Sequence, residues 1–201
     1  MMIIKTTLFA VLAMASAASF AEKNADDEKM PAAPAAVVEL NAQETVYNFA
    51  NNVIGSIRDK DEGTTSFDAI KPHLDSMVAY SSVVKGVMGD YSKAANKNQK
   101  KTFLLAFRQS LIDTFAQGFE IFVDYEISLS ELQDENSSKT NTIVYLDMKS
   151  PEGEVYKIAL TMYYQEKNKK WRMLNAILNG VNLGILFRNQ YQQLVAEAEG
   201  N

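Results

Sequence analysis

The chain has no cysteine, one histidine, one tryptophan and four prolines in 201 residues. Each shortage excludes something. Without cysteine there is neither a disulfide framework nor a thiolate metal site, so the core alone must hold the fold. His73 has no second imidazole with which to share a metal, and it follows Pro72 in a short helical stretch, so it reads as an ordinary surface or capping residue. No G-x-S-x-G elbow occurs to expose a serine nucleophile. Phosphate-cradling glycine motifs, G-x-x-x-x-G-K-S/T and G-x-G-x-x-G, are absent too. The carboxylates Asp124 and Glu126 share one side of an alternating stretch, but it is the side read as solvated. Nothing in these residues predicts an enzyme, and no cofactor or metal is expected.

Excess charge of either sign is also small. Twenty Lys and Arg stand against 25 Asp and Glu, a net charge of −5. The densest basic run, Lys97 to Lys101, is interrupted by Asn98 and Gln99 and reads as a solvated helix start. An acidic chain with no Lys/Arg cluster of more than three is a poor candidate for nucleic acid or for an anionic membrane surface.

Long apolar runs are confined to the first 21 residues. MMIIK supplies a short basic start, TTLFAVLAMASAASF an apolar middle, and Ser19-Phe20-Ala21 small residues for cleavage. Residues 1–21 are therefore expected to be a secretory signal peptide cleaved near Ala21, too short to span a membrane. Loss of Lys5 would leave 19 cations against 25 acids, a net charge of −6. Residues 22–40, charged and then Ala/Pro-rich (MPAAPAAVVEL), read as a flexible linker. Residues 41–199 are long enough for one domain with a substantial core.

Within that domain the apolar period is first helical. Asn41 with Glu44 forms a capping-box pattern, and Val46, Phe49, Val53, Ile54 and Ile57 predict a helix to about Arg58. Ser66 is expected to cap a short helix ending near Leu74, where Pro72 discourages continuation. Met77 to Val87 reads as another short helix, followed by a corner at Asp90-Tyr91. Asn96 or Asn98 then caps the strongest helix, on which Phe103, Phe107, Leu111, Phe115 and Phe119 recur every four residues. A face so aromatic is expected to be buried.

From Glu120 the period changes to two. Ile121, Val123, Tyr125, Ile127 and Leu129 predict a strand with one wet face. Ile143 to Met148 gives a second strand, with Val144, Leu146 and Met148 on one side. Pro151-Glu152-Gly153 turns the chain into a third, whose Tyr156, Ile158, Leu160, Met162 and Tyr164 share a face. Trp171 to Leu178 forms the fourth. A helix from Asn182 or Leu183 to Ala198 closes the domain. The expected fold class is α+β: N-terminal helices packed on a twisted antiparallel β-meander of about four strands, with a C-terminal helix.

The apolar inventory admits two readings, an ordinary core or a cavity for a flexible apolar ligand. The fourth strand and its turn are apolar on both sides of the pleat, as an end strand facing water should not be.

The residues after Trp171 carry a resemblance. Trp171, Asn175, Gly180-Val181-Asn182-Leu183 and Phe187-Arg188-Asn189-Gln190-Tyr191 are similar, in order and spacing, to the MlaC/toluene-tolerance (Ttg2-type) family of periplasmic phospholipid-binding proteins. So are Val87-Met88-Gly89-Asp90-Tyr91 and the Phe103 to Phe107-Arg108 step. The departures are Asn175, where the family usually has Asp, and Asn182, where it has Ser.

The resemblance implies an NTF2-like cavity architecture and a periplasmic location. It also implies a soluble carrier, not an enzyme, that shuttles phospholipid between an inner-membrane Mla ABC transporter complex and an outer-membrane Mla lipoprotein complex, maintaining outer-membrane lipid asymmetry. Candidate lipid-facing residues are then Phe103, Phe107, Leu111 and Phe115 on the long helix, and Val144, Leu146, Met148, Ile158, Leu160 and Met162 on the middle strands. Trp171, Met173, Ile177, Val181 and Leu186 extend them toward the C-terminus. Arg188 is the headgroup candidate, or alternatively the partner of an acid. Two other readings stay open: an interaction module with a packed core that docks on membrane complexes without lipid, and an NTF2-like hydrolase or isomerase. The last needs a carboxylate or histidine in the cavity, and none is placed there.

Overall fold

The computed structural model describes residues 41–199 except Gln133. The expected signal peptide and linker lie outside the described residues. Helix α1 (Ala42–Arg58) opens on the predicted capping box: Asn41 Oδ1 accepts from the Glu44 amide at 2.8 Å, and Glu44 accepts from the Asn41 amide at 3.2 Å. Its Val46, Val53, Ile54 and Ile57 are buried.

Helix α2 (Ser66–Met77) differs from expectation at both ends. Thr65, not Ser66, is the cap, accepting from the Asp68 amide at 3.1 Å. The helix also runs on through Pro72 to Met77. Proline removes one ladder hydrogen bond, but burial of Ile70, Leu74 and Met77 outweighs that cost.

Val78 then breaks the chain into extended backbone, bridging in parallel to Met173, and the Ala79 amide donates to the Met173 carbonyl at 3.0 Å. Helix α3 therefore spans Tyr80–Met88, not Met77–Val87. It stops at Gly89, whose φ of +55° suits a residue without Cβ. A single turn, α4 (Tyr91–Ala94), leads to α5 (Lys97–Phe119), capped reciprocally by Asn96 and Gln99.

Helix α5 carries on as a 3-10 turn over Glu120–Phe122, so the expected first strand shrinks to β1 (Glu126–Leu129). Ile121 falls inside that turn and Val123 directly after it, so their alternation is not spent on a pleat. Strands β2 (Asn141–Lys149), β3 (Val155–Gln165) and β4 (Lys170–Leu178) fall where the period of two placed them. A two-residue β5 (Val181–Asn182) makes the meander five strands, ordered β1-β2-β3-β4-β5 and antiparallel throughout. Helix α6 (Leu183–Glu199) closes the fold.

Val144, Leu146, Leu160, Met162 and Met173 form one buried cluster with Val46, Ile70, Leu74, Leu111 and Ile112. The helices thus cover one face of the sheet. A register shift at Thr161/Met162 lets Met173 and Ala176 both face that core, opposite Met162 and Leu160. Among the described residues no helix is long and apolar enough to cross a membrane.

Candidate functional site

Helices α5 and α6 meet through rings. Phe107 stands edge-on to Phe187 at 5.4 Å between centroids, and Phe103 tilts against Tyr191 at 4.7 Å. Tyr191 also meets Tyr91 at 6.0 Å, and burial raises the pKa of its hydroxyl. Farther along α5, Phe115 stacks on Phe119 at 5.2 Å. Pairing of 107 with 187 and 103 with 191 means that the two helices run antiparallel here, each offering a ring every fourth residue. All of these rings are only half-buried. The aromatic face of α5 is therefore not the sealed stripe its composition predicted: Leu111 and Ile112 go into the core, and the phenylalanines beside them keep accessible surface.

The fifteen apolar candidates separate by burial. Leu111, Val144, Leu146, Met148, Leu160, Met162 and Met173 are buried, and all but Met148 join the central cluster. Phe103, Phe107, Phe115, Ile158, Trp171 and Leu186 are half-buried and keep surface to offer. Ile177 is half-buried as well but pairs with Ala159, on the sheet face opposite to Leu160. Val181 is exposed on the edge strand. Trp171 packs edge-on against Tyr164 at 5.4 Å, at one end of the core face.

Arg188 meets no acid among the described residues. Its Nε donates to the Gly86 carbonyl at 2.9 Å, in the last turn of α3, where unpaired carbonyls and the negative end of the helix dipole favour a cation. Arg188 is otherwise exposed.

A polar clamp absent from the sequence reading joins α2, α5 and β4. Arg108 Nε donates to Asp75 Oδ1 at 2.7 Å, and its Nη2 engages the other carboxylate oxygen. Arg172 donates to the Val78 carbonyl at 2.7 Å and to that of Asp75 at 3.3 Å. Burial alone would raise the Asp75 pKa. The Arg108 hydrogen bond and charge, with Lys71 at 3.5 Å, outweigh it and hold the carboxyl below its ordinary value. Tyr80 lies under Arg108 with its ring centroid 6.0 Å away; burial and the charge of Asp75 push its hydroxyl well up. Tyr80 Oη and Gln190 Oε1 are buried without a hydrogen-bond partner.

Asn175 and Asn182 meet at the start of α6. Asn182 Oδ1 accepts from the Ile185 amide at 3.1 Å and so caps the helix. Asn175 Oδ1 accepts from the Gly184 amide at 2.9 Å, while its Nδ2 donates to Asn182 Oδ1 at 3.1 Å. The two amides thus tie β4 to the first turn of α6. The residues the sequence reading left off the site, Phe187, Gln190 and Tyr191, carry one usable signal: Phe187 and Tyr191 repeat on α6 the four-residue aromatic spacing of Phe103 and Phe107.

Among the described residues no group of three or more His, Asp or Glu is placed to hold a metal. The fold and its seam define an α+β protein whose open sheet is backed by helices that leave an aromatic seam partly uncovered. The chain belongs to the MlaC family, whose model matches residues 47–200. It is 25% identical over 126 residues to the toluene tolerance protein ttg2D of Pseudomonas putida, a match covering 62% of this chain and 57% of that protein's length. Its fold is similar to that of a phospholipid-binding protein from Ralstonia solanacearum solved in complex with a phospholipid. There the TM-score is 0.70 at 16% identity, over 80% of this chain and 90% of the other.

Proposed function

We propose that this protein is a periplasmic phospholipid carrier, holding acyl chains against the half-buried rings of α5 and α6. The observation carrying the reading is that Phe103, Phe107, Phe187 and Tyr191 face one another across two helices yet keep accessible surface. Membership of the MlaC family and the ligand named for the Ralstonia protein support it. Each buried CH₂ is worth about 0.8 kcal/mol, so a ~16-carbon chain needs about 13 kcal/mol of shielding to cross water. An apolar seam supplies that passively and leaves the headgroup in solvent, with the exposed Arg188 available to a phosphate. Ile158, Trp171 and Leu186 extend the wall; Leu160, Met162 and the other buried candidates form its backing.

Burial alone provides no direction. The chain has no nucleotide motif, so direction would come from the inner-membrane Mla ABC transporter complex and the outer-membrane Mla lipoprotein complex between which it would shuttle. Native mass spectrometry of protein taken from the periplasm tests the reading. Phospholipid should co-purify and be lost in Phe107→Glu. Apo mass alone in the wild type would overturn the carrier reading and favour an interaction module with a packed core, which the full burial of Leu146, Leu160 and Met162 also fits.

A further inference from the structure

The net charge of −5 conceals a strong segregation. Between Tyr80 and Ile112 the only acid is Asp90, against Lys85, Lys93, Lys97, Lys100, Lys101 and Arg108. Between residues 120 and 154 nine acids stand against Lys139 and Lys149. The sheet order separates the two populations. The acidic stretch holds β1, β2 and the hairpin that follows, at one edge. The basic stretch holds α3, whose start bridges to Met173 of β4, and the first half of α5, whose Phe103 packs on Tyr191 of α6.

Within the basic stretch, Lys97, Lys100 and Lys101 occupy neighbouring positions of one helical face, and Lys93 precedes them by one turn of chain. Lys93 is offset by Asp90 at 3.0 Å. Among the described residues the other three have no carboxylate within ion-pair distance. Like charges at this spacing repel, and cations at the N-terminal end of α5 oppose its dipole. The capping partner is neutral as well: Gln99 fills the position that Glu44 fills in α1. Local costs of this kind concentrate at functional surfaces.

We infer that this pole, with Lys97, Lys100 and Lys101 at its centre, is a docking face for an anionic lipid bilayer. Its apolar content fits a headgroup region. Leu105, one turn beyond Lys101, is 51% exposed, and Leu194, one turn beyond Tyr191 on the antiparallel α6, is 64% exposed. Tyr91 and Tyr191 add amphipathic rings of the kind that settle at membrane interfaces. The cations are lysines, flexible point charges suited to a diffuse negative surface. Arg108, whose fork selects a defined carboxylate, is engaged within the fold by Asp75. The face would bring the open end of the aromatic seam to a membrane, but bilayer binding does not depend on a carried lipid.

Vesicle co-flotation tests this with the periplasmic protein. Vesicles of phosphatidylglycerol and phosphatidylcholine in equal parts should bind it, with affinity falling as salt is added; phosphatidylcholine alone should not. Lys97→Gln/Lys100→Gln/Lys101→Gln should weaken binding by about a hundredfold, at about fivefold per lysine. Lys139→Gln/Lys149→Gln/Lys157→Gln makes the same net charge change away from this pole, on the side of β2 and its neighbours, and should have little effect. Equal losses in the two triple variants, or no preference for the anionic vesicles, would overturn the proposal. Binding to poly-glutamate but not to anionic vesicles would overturn it in favour of an acidic protein partner. Lipid retention by native mass spectrometry is read separately, so either conclusion can fail alone.

Discussion

Gly184 sits where a side chain has no room. A Cβ there would lie 2.7 Å from Asn175 Oδ1, the atom that accepts from the Gly184 amide. Alanine would bring at most about 1 kcal/mol of helix propensity at this early helical position. It would displace Asn175 and break a pair of hydrogen bonds worth about 0.5–1.5 kcal/mol each, with strain besides. Gly184→Ala should therefore lower the unfolding free energy from urea titration by about 1 kcal/mol or more net. Asp75 makes a pH-dependent contribution whose sign follows from its depressed pKa. The stabilisation is fully present above the unfolded carboxyl's ordinary value of 3.8 and is lost as pH falls through the lower folded value. The stability difference between wild type and Asp75→Asn, from urea titrations, should be constant near neutrality and shrink below about pH 4.

At the scale of elements, Pro72 is the clearest conflict between local preference and tertiary demand. It lies inside α2, exposed, while Ile70, Leu74 and Met77 on the same helix are buried. Local rules end the helix near Leu74; burial carries it to Met77. Pro72→Ala should raise stability by about 1–3 kcal/mol, because the interior-proline penalty is removed and no packing is lost. A neutral or negative change in thermal unfolding would mean that the proline's restriction of the unfolded chain dominates. The same competition moved the start of α3. Met77 and Val78 belong to a helical pattern by composition, but Arg172 and the Met173 carbonyl take the backbone groups of residues 78 and 79. The caps Asn41 and Asn96, the two long helices and strands β2 to β4 were legible because each is encoded by its own neighbours.

For the whole molecule, a seam that keeps aromatic surface open leaves stability for a ligand to add. If acyl chains fill it, lipid bound only by the folded state stabilises in proportion to the logarithm of its concentration over Kd. Delipidated protein should then show a lower Tm, restored when phospholipid is returned; an unchanged Tm would count against lipid in the seam. Which apolar residues form that surface was not readable along the chain. Phe103 and Leu111 lie on the same stripe, and only the position of α6 leaves the first half-open while the core covers the second.

The sequence by itself determined the element types, their order, the antiparallel meander and the family likeness, since helical and strand periods, caps and turn residues are local. The tertiary structure alone decided which apolar side chains are core and which are seam. It also joined Asn175 to Asn182 and set the lysines of residues 93–101 apart from the acids of residues 120–154. These depend on distances between residues far apart in the chain, such as Asp75 and Arg108 or Gly86 and Arg188, and burial and electrostatics act through those distances, not through position along the backbone.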